Sequence, residues 1–175
     1  MPGHPGIDII APWRTPLRAV ESGIIVDVNR NEQGYGRHLR LLGTKTGVYT
    51  NLWVYGHCED IFVNVNDKVE EGQIIATMGN TGFVVSSTPL WEYNPFRGTH
   101  LHLGKRKVNV NDNGFSYEGS DIHFTVKDYK HGFYGHIDFR DELEKADTGD
   151  TEYRAKQLTA ISLLNYLLRN YKHKN

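Results

Sequence analysis

The stretch "GTHLHLGKRKV", residues 98–108, places His100 and His102 on either side of one leucine. In a β-strand alternate side chains point to the same face, so the two imidazoles would stand roughly 6–7 Å apart along the chain. Histidines at this spacing could share a metal ion or the transfer of a proton. Since the chain contains nine histidines, an H-x-H pattern can arise by chance. It indicates a functional site only if further candidate residues occur elsewhere in the sequence.

The N-terminal stretch "GHPGIDII" offers such partners, because it places His4 and Asp8 four residues apart. Pro5 and Gly6 disfavour a helix between them, so a loop that enters a strand would have to bring the two side chains together. One aspartate and two histidines suit a catalytic zinc ion with an open position for water, whose pKa zinc lowers towards neutrality. Histidine could also transfer the proton and stabilise the developing oxyanion. The candidates are His57, His100 and His102.

Composition narrows the possible classes of protein. A chain of 175 residues is long enough for one domain with its own core. The formal charge of −1 gives no broad positive field, so we expect no nucleic acid partner. No run of 18 apolar residues occurs and no signal peptide is visible, so we expect no membrane insertion. The single cysteine, Cys58, excludes an intramolecular disulfide and a cysteine-based metal cluster, and we expect it to be a small core residue.

Short apolar stretches predict a mainly β protein with a compact antiparallel core. They are rich in Val, Ile, Leu and Tyr and are bounded by Gly, Asn and Asp. The predicted strands are 23–28, 37–43, 48–57, 73–78 and 100–108, with one or two more within 121–139. Residues 84–99 show no periodicity and predict a long ordered loop whose aromatic side chains form the wall of a groove.

The C-terminal part differs, because its apolar residues recur at helical spacing: Leu158, Ile161, Leu164 and Leu168. This spacing predicts an amphipathic helix over about residues 151–171. We therefore divide the chain into a β-domain, residues 1–140, and a linker with the C-terminal helix, residues 141–175. The apolar stripe of the helix either packs against the β-domain or docks onto a partner domain or a second subunit, and the oligomeric state stays open.

Several ordered motifs resemble those of one enzyme family. They are "HPGIDI", "AVESGIIVDV", "GYGRHLRL", "VYGHCE", "VNDKVEEGQIIATMGNTG" and "THLHL". Their order and approximate spacing over residues 3–105 are similar to those of the M23 family of zinc peptidases, the lysostaphin-like or LytM-type endopeptidases. The resemblance implies an antiparallel β-fold of that type and one zinc ion per chain. It also implies hydrolysis of peptide bonds in the cross-links or stem peptides of bacterial peptidoglycan, at an extracellular, periplasmic or phage virion-associated location.

The resemblance also implies roles for individual residues. His4 and Asp8 of H-x-G-x-D and His102 of H-x-H would bind zinc. His57 and His100 would form the catalytic pair that handles protons and steadies the tetrahedral intermediate. Metal-free family members that activate other wall hydrolases typically lose some of these residues, so the presence of all five favours an active enzyme.

The sequence departs from the family pattern at three places. The chain begins three residues before His4, so we expect the strand and aromatic segment that normally precede H-x-G-x-D to be missing or supplied from elsewhere. The loop at residues 84–99 replaces a short Gly-Ser turn, and Gly104 stands where an acidic residue is common. The cleaved bond therefore stays open between glycine bridges and directly cross-linked stem peptides.

Two other classes of function are compatible with parts of the sequence. The chain could be a non-catalytic module with the M23 fold, which serves as a binding or structural part of a cell-envelope or phage virion assembly. "VNVNDKVEEGQIIATMGNTG" resembles half of a biotinyl or lipoyl carrier domain, but its tip "MGNTG" has no lysine to carry the cofactor.

Overall fold

A computed structural model describes residues 5–44, 47–84, 96–130 and 134–142 of the chain. Within these ranges the chain forms ten β-strands. They are β1 (Ile7–Ile9), β2 (Pro16–Arg18), β3 (Gly23–Asn29), β4 (His38–Gly43), β5 (Thr50–Gly56), β6 (Cys58–Ile61), β7 (Lys68–Val69), β8 (Ile74–Met78), β9 (Leu101–Phe115) and β10 (Phe124–Val126). The described strand pairings are antiparallel, which confirms the predicted mainly β, antiparallel fold.

The strands form two sheets that share a hydrophobic core. The large sheet has the order β1-β9-β5-β4-β3-β7, with β10 also paired to β9, and the small sheet has the order β2-β8-β6. Because side chains alternate along a strand, one face of the large sheet faces the core. The core joins residues of both sheets: Leu39, Leu41, Tyr55 and Leu103 from the large sheet, with Leu17, Ile75 and Met78 from the small one.

The other face of the large sheet carries a second, smaller apolar cluster. Its buried members are Val26, Leu42, Leu52, Val108 and Phe124. Phe124 of β10, which pairs with Val110 of β9, belongs to this cluster, and Tyr117 and Ile122 of the preceding segment pack against it. The alternation along β9 places His102, Gly104 and Arg106 on this same face, since Val108 follows them at the same period.

The predicted strands correspond to β3, β4, β5, β8 and β9, and the described part of the region 121–139 supplies one strand, β10. Strand β9 continues to Phe115, beyond its predicted end at residue 108. The four strands that the sequence analysis did not assign, β1, β2, β6 and β7, are only two to four residues long.

Some predictions fall outside the described residues. They are the C-terminal helix, residues 85–95 of the predicted loop, and most of the linker after the boundary at residue 140. The division into 1–140 and 141–175 therefore stays a prediction. In the described part of the chain, no helix has both the length and the apolar character needed to cross a membrane.

Tyr55 of the large sheet forms hydrogen bonds with the end of β2 and the segment that follows it. Its side chain is buried in the core, and its hydroxyl accepts a hydrogen bond from the Val20 N–H at 2.9 Å. The same hydroxyl donates to the Arg18 carbonyl oxygen at 3.2 Å. The tyrosine of the "VYGHCE" motif thus points away from the face that carries His102 and has a structural role.

We expect Tyr55→Phe to lower the free energy of unfolding by about 1–2 kcal/mol, because the Val20 N–H and the Arg18 carbonyl lose their partner. Urea unfolding followed by circular dichroism measures this change. Tyr129→Phe is the matched control, since Tyr129 is 51% exposed. Equal stability of the two variants would contradict the assigned role of the hydroxyl.

Candidate active site

Asp8 and His102 face each other across two paired strands. β1 runs antiparallel to β9, and Asp8 lies directly opposite His102 in the register. Asp8 Oδ1 lies 3.1 Å from His102 Nδ1. The imidazole is 3% exposed and the carboxylate 44%, so the carboxylate lies at the solvent side of a buried ring.

Gly6, the glycine of H-x-G-x-D, is required at its position for steric reasons. A Cβ at Gly6 would lie 2.8 Å from His102 Nε2 and 2.5 Å from the carbonyl oxygen of Leu103. Only glycine therefore allows the N-terminal segment to pass directly over the His102 ring. His4, two residues earlier, lies outside the described residues.

His100 lies immediately before β9 and faces the same carboxylate. Its Nε2 is 3.7 Å from Asp8 Oδ1. Its Nδ1 lies 2.7 Å from the carbonyl oxygen of Gly98, and since a carbonyl can only accept, this nitrogen carries the proton. In the neutral ring Nε2 therefore presents a lone pair.

His57 occupies the corner where the chain passes from β5 of the large sheet to β6 of the small one. Its φ of +61° is uncommon for a residue other than glycine. The conformation is held by two main-chain hydrogen bonds: its N–H donates to the Tyr35 carbonyl at 2.7 Å, and its carbonyl accepts from the Gly79 N–H at 2.9 Å. Such a strained residue held by its surroundings is typical of a functional site.

The His57 ring joins the other two imidazoles. Its centroid lies 4.5 Å from that of His100 and 6.2 Å from that of His102. Its Nδ1 donates to the Thr81 carbonyl oxygen at 2.7 Å, so Nε2 carries the lone pair. Burial lowers the pKa of His57 to about 4, and the ring is therefore neutral at neutral pH and able to accept a proton.

Two glycine-containing turns position the carbonyl that holds His57. Gly36 has a φ of +62°, and a Cβ there would overlap the Thr81 carbonyl group. Gly82, with a φ of +78°, packs against the backbone of Gly36 in the same way. The "GYG" and "NTG" turns therefore contact each other through their backbones, which gives Gly36 a conformational role.

Tyr35 is a site residue that the sequence analysis did not select. Its ring stacks on His102 with centroids 5.0 Å apart and an angle of 29° between the planes. Burial raises the pKa of its phenol, so the hydroxyl stays protonated. The available signal was an aromatic residue between two glycines, which presents a ring on a tight turn.

Cys58, next to His57 in the sequence, belongs to the core. Its side chain is buried, its thiol donates to the Tyr55 carbonyl oxygen at 3.4 Å, and burial raises its pKa to about 12. A protonated, buried thiol is not a nucleophile, in agreement with the sequence analysis.

The donor set of Asp8 and His102 fits one zinc ion. Zinc binds such oxygen and nitrogen donors at roughly 2.0–2.2 Å, and tetrahedral geometry then separates two donors by about 3.4 Å. The observed separation of 3.1 Å is close to this value. Among the described residues no group of three His, Cys, Asp or Glu side chains is arranged to hold a metal ion, and His4, the remaining predicted ligand, is not one of these residues.

Comparison with known proteins identifies the family of the chain. The model of peptidase family M23 matches residues 2–116, more than half of the sequence. The chain belongs to peptidase family M23. This M23 chain is 32% identical to the glycyl-glycine endopeptidase ALE-1 of Staphylococcus capitis over 110 residues, which are 63% of this chain and 26% of the relative.

Two further relatives come from Vibrio cholerae and Escherichia coli. The M23 chain is 30% identical to the peptidoglycan DD-endopeptidase ShyC of Vibrio cholerae over 103 residues, 57% of this chain and 19% of ShyC. It is 37% identical to the uncharacterized lipoprotein YgeR of Escherichia coli over 79 residues, 45% of this chain and 30% of YgeR. The chain thus spans less than a third of the length of each of these curated relatives.

Solved M23 structures share the fold. Lysostaphin from Staphylococcus simulans aligns with a TM-score of 0.54 and 26% identity over 85% of this chain and 47% of its own. LytU aligns with a TM-score of 0.53 and 26% identity over 81% of this chain and 73% of its own. These similarities support a lysostaphin-type β-fold for this M23 chain.

Proposed function

We propose that this chain is a zinc-dependent endopeptidase that hydrolyses peptide bonds in the cross-links or stem peptides of bacterial peptidoglycan. The observation that carries the proposal is the convergence of Asp8, His57, His100 and His102 at one site of an M23 chain. The names of two relatives, a glycyl-glycine endopeptidase and a peptidoglycan DD-endopeptidase, support the same class of reaction. The substrate implies an extracellular, periplasmic or virion-associated place of action for the proposed peptidase domain, residues 1–140.

In this proposal His4, Asp8 and His102 hold the zinc ion. The spacing of the Asp8 and His102 donor atoms supports it, as does the passage of Gly6 over the His102 ring. We include His4 as the third ligand because it precedes Gly6 by two residues in the H-x-G-x-D motif. When bound there, zinc would polarise the scissile carbonyl and lower the pKa of a water molecule.

His57 and His100 are the proposed catalytic residues. Each ring donates its Nδ1 proton to a main-chain carbonyl, of Thr81 and Gly98 respectively, which fixes its orientation and leaves Nε2 able to accept a proton. One ring can take the proton of the attacking water at Nε2, and the same ring, once protonated, can stabilise the developing oxyanion and deliver that proton to the leaving amine.

Metal content tests the proposal most directly. The protein is purified without chelator or nickel affinity resin, and zinc is counted by mass spectrometry beside His4→Ala and the control His123→Ala, which changes an exposed histidine. We expect about one zinc per chain in the wild type and the control, loss of zinc in His4→Ala, and release of soluble fragments from peptidoglycan by the zinc-containing proteins. A wild type that takes up no added zinc would contradict the proposal and favour a non-catalytic M23 module.

A further inference from the structure

A small pocket opens on the face of the large sheet that carries His102. It has a volume of about 230 Å³, its open mouth included. The lining residues are Tyr35, Arg40, Leu52, Val54, Arg106 and His136. Two of them are arginines and one is a histidine, and no carboxylate is among them. The pocket therefore has an apolar floor and a positively charged wall.

Arg106 is the cation of this wall without an acidic partner. Its Nε donates to His136 Nδ1 at 3.3 Å. Over the ranges that the structure describes, no carboxylate lies within ion-pair distance of its guanidinium. Burial lowers the pKa of Arg106, and the nearby Arg40 cation acts in the same direction. A half-buried cation in this position is stabilised when an anion enters the pocket.

Arg40 differs from Arg106, because its charge is already paired. Its Nη1 donates to Asp27 Oδ2, and its guanidinium lies over the Tyr117 ring, 4.6 Å from the centroid. These contacts hold Arg40 in place in the wall of the pocket. Arg106 is therefore the side chain with donors available for a ligand.

The pocket adjoins the candidate active site. His102, Gly104 and Arg106 follow one another on the same face of β9, and Gly104 puts no side chain between the other two. A Cβ at Gly104 would lie 2.6 Å from Val54 Cγ1, so a larger residue would disturb the pocket wall. Tyr35 both lines the pocket and stacks on His102, so one ring separates the pocket from the predicted zinc ligand.

We propose that this pocket binds a carboxylate of the peptide substrate, with Arg106 as the binding cation. The proposal rests on the proposed function. Arginine is suited to this role because its planar guanidinium matches a carboxylate with two parallel hydrogen bonds. Four residues of β9 span about 13 Å, so the bound carboxylate would lie within about four residues of the cleaved bond. The preferred substrate is then a stem-peptide cross-link with free carboxylates and not an uncharged glycine bridge.

The test compares one substrate with and without its carboxylates. Peptidoglycan with direct stem cross-links is divided in two, and one half is treated with carbodiimide and methylamine, which turns free carboxylates into neutral amides. Wild type, Arg106→Gln and the control Arg30→Gln are assayed on both halves for kcat and KM. Arg30 is exposed and lies outside the pocket. Co-sedimentation with both halves in the presence of a chelator measures binding without cleavage.

We expect Arg106→Gln to raise KM on native peptidoglycan about 10- to 100-fold with kcat nearly unchanged, and Arg30→Gln to behave as wild type. Amidation should raise the KM of the wild type similarly and have little further effect on Arg106→Gln. Equal binding and cleavage of native and amidated peptidoglycan by the wild type would overturn the proposal without any variant. If neither half is cleaved but binding still depends on carboxylates and Arg106, the pocket stands and the hydrolase function is wrong.

Discussion

His102→Ala is expected to lose both zinc binding and turnover. The His102 ring is buried, its Nδ1 lies 3.1 Å from Asp8 Oδ1, and it belongs to β9, an interior strand of the large sheet. Alanine removes this donor and leaves Asp8 and His4, too few to hold a catalytic zinc ion. Zinc should fall from about one per chain to below about 0.1, and hydrolysis of peptidoglycan should fall to background.

Mass spectrometry of the purified variant measures the zinc, and release of soluble fragments measures the turnover. Because alanine also leaves a cavity beneath Tyr35, thermal unfolding must show that the variant is folded. His123→Ala controls for the loss of a histidine elsewhere on the surface and should keep zinc and activity. A folded His102→Ala protein with one tightly bound zinc would contradict the assignment of His102 as a ligand.

His100→Ala is expected to give the opposite combination, with zinc retained and turnover lost. His100 Nε2 lies 3.7 Å from Asp8 Oδ1, and its ring is 4.5 Å from His57, a position suited to proton transfer. Removal of a general acid or base typically lowers kcat by about 10²- to 10⁴-fold. The KM should change less, because the ring is not required to hold the metal.

The two variants are informative as a pair. They are measured in the same preparation buffer for zinc content and for kcat on the same peptidoglycan. If His100→Ala and His102→Ala bind zinc equally, the division of roles within H-x-H is wrong. If His100→Ala keeps both zinc and full turnover, His100 is a packing residue and His57 must act without it.

The sequence predicted the β-fold where strands are long enough to show an apolar pattern. β3, β4, β5 and β8 have this pattern, whereas β6 and β7 are too short to differ from loops. β9 was predicted to end at residue 108, before the polar stretch "NVNDNG", yet pairing of residues 108–110 with β10 helps to continue the strand. Tertiary pairing here overrides local propensity.

The candidate site was predicted from the order of motifs and not from spacing within any one of them. His57 lies at the corner between β5 and β6, and His100 lies immediately before β9. The fold places these two distant positions next to each other. Arg106 and Tyr35 were not selected, since their relation to His102 depends on the register of β9 and on the contact between two turns. Neither feature has a local sequence signal.

The position of His57 at the corner between the sheets has a consequence for engineering. Its main chain forms hydrogen bonds with Tyr35 of the "GYG" turn and with Gly79, and the Thr81 carbonyl oxygen orients its ring. The imidazole is therefore aligned by the assembly of both sheets and not by its own strand. The proposed active site therefore cannot be transferred as the large sheet alone. A fragment without β8 and the "NTG" turn that follows it would contain the histidines but would not hold them in this arrangement.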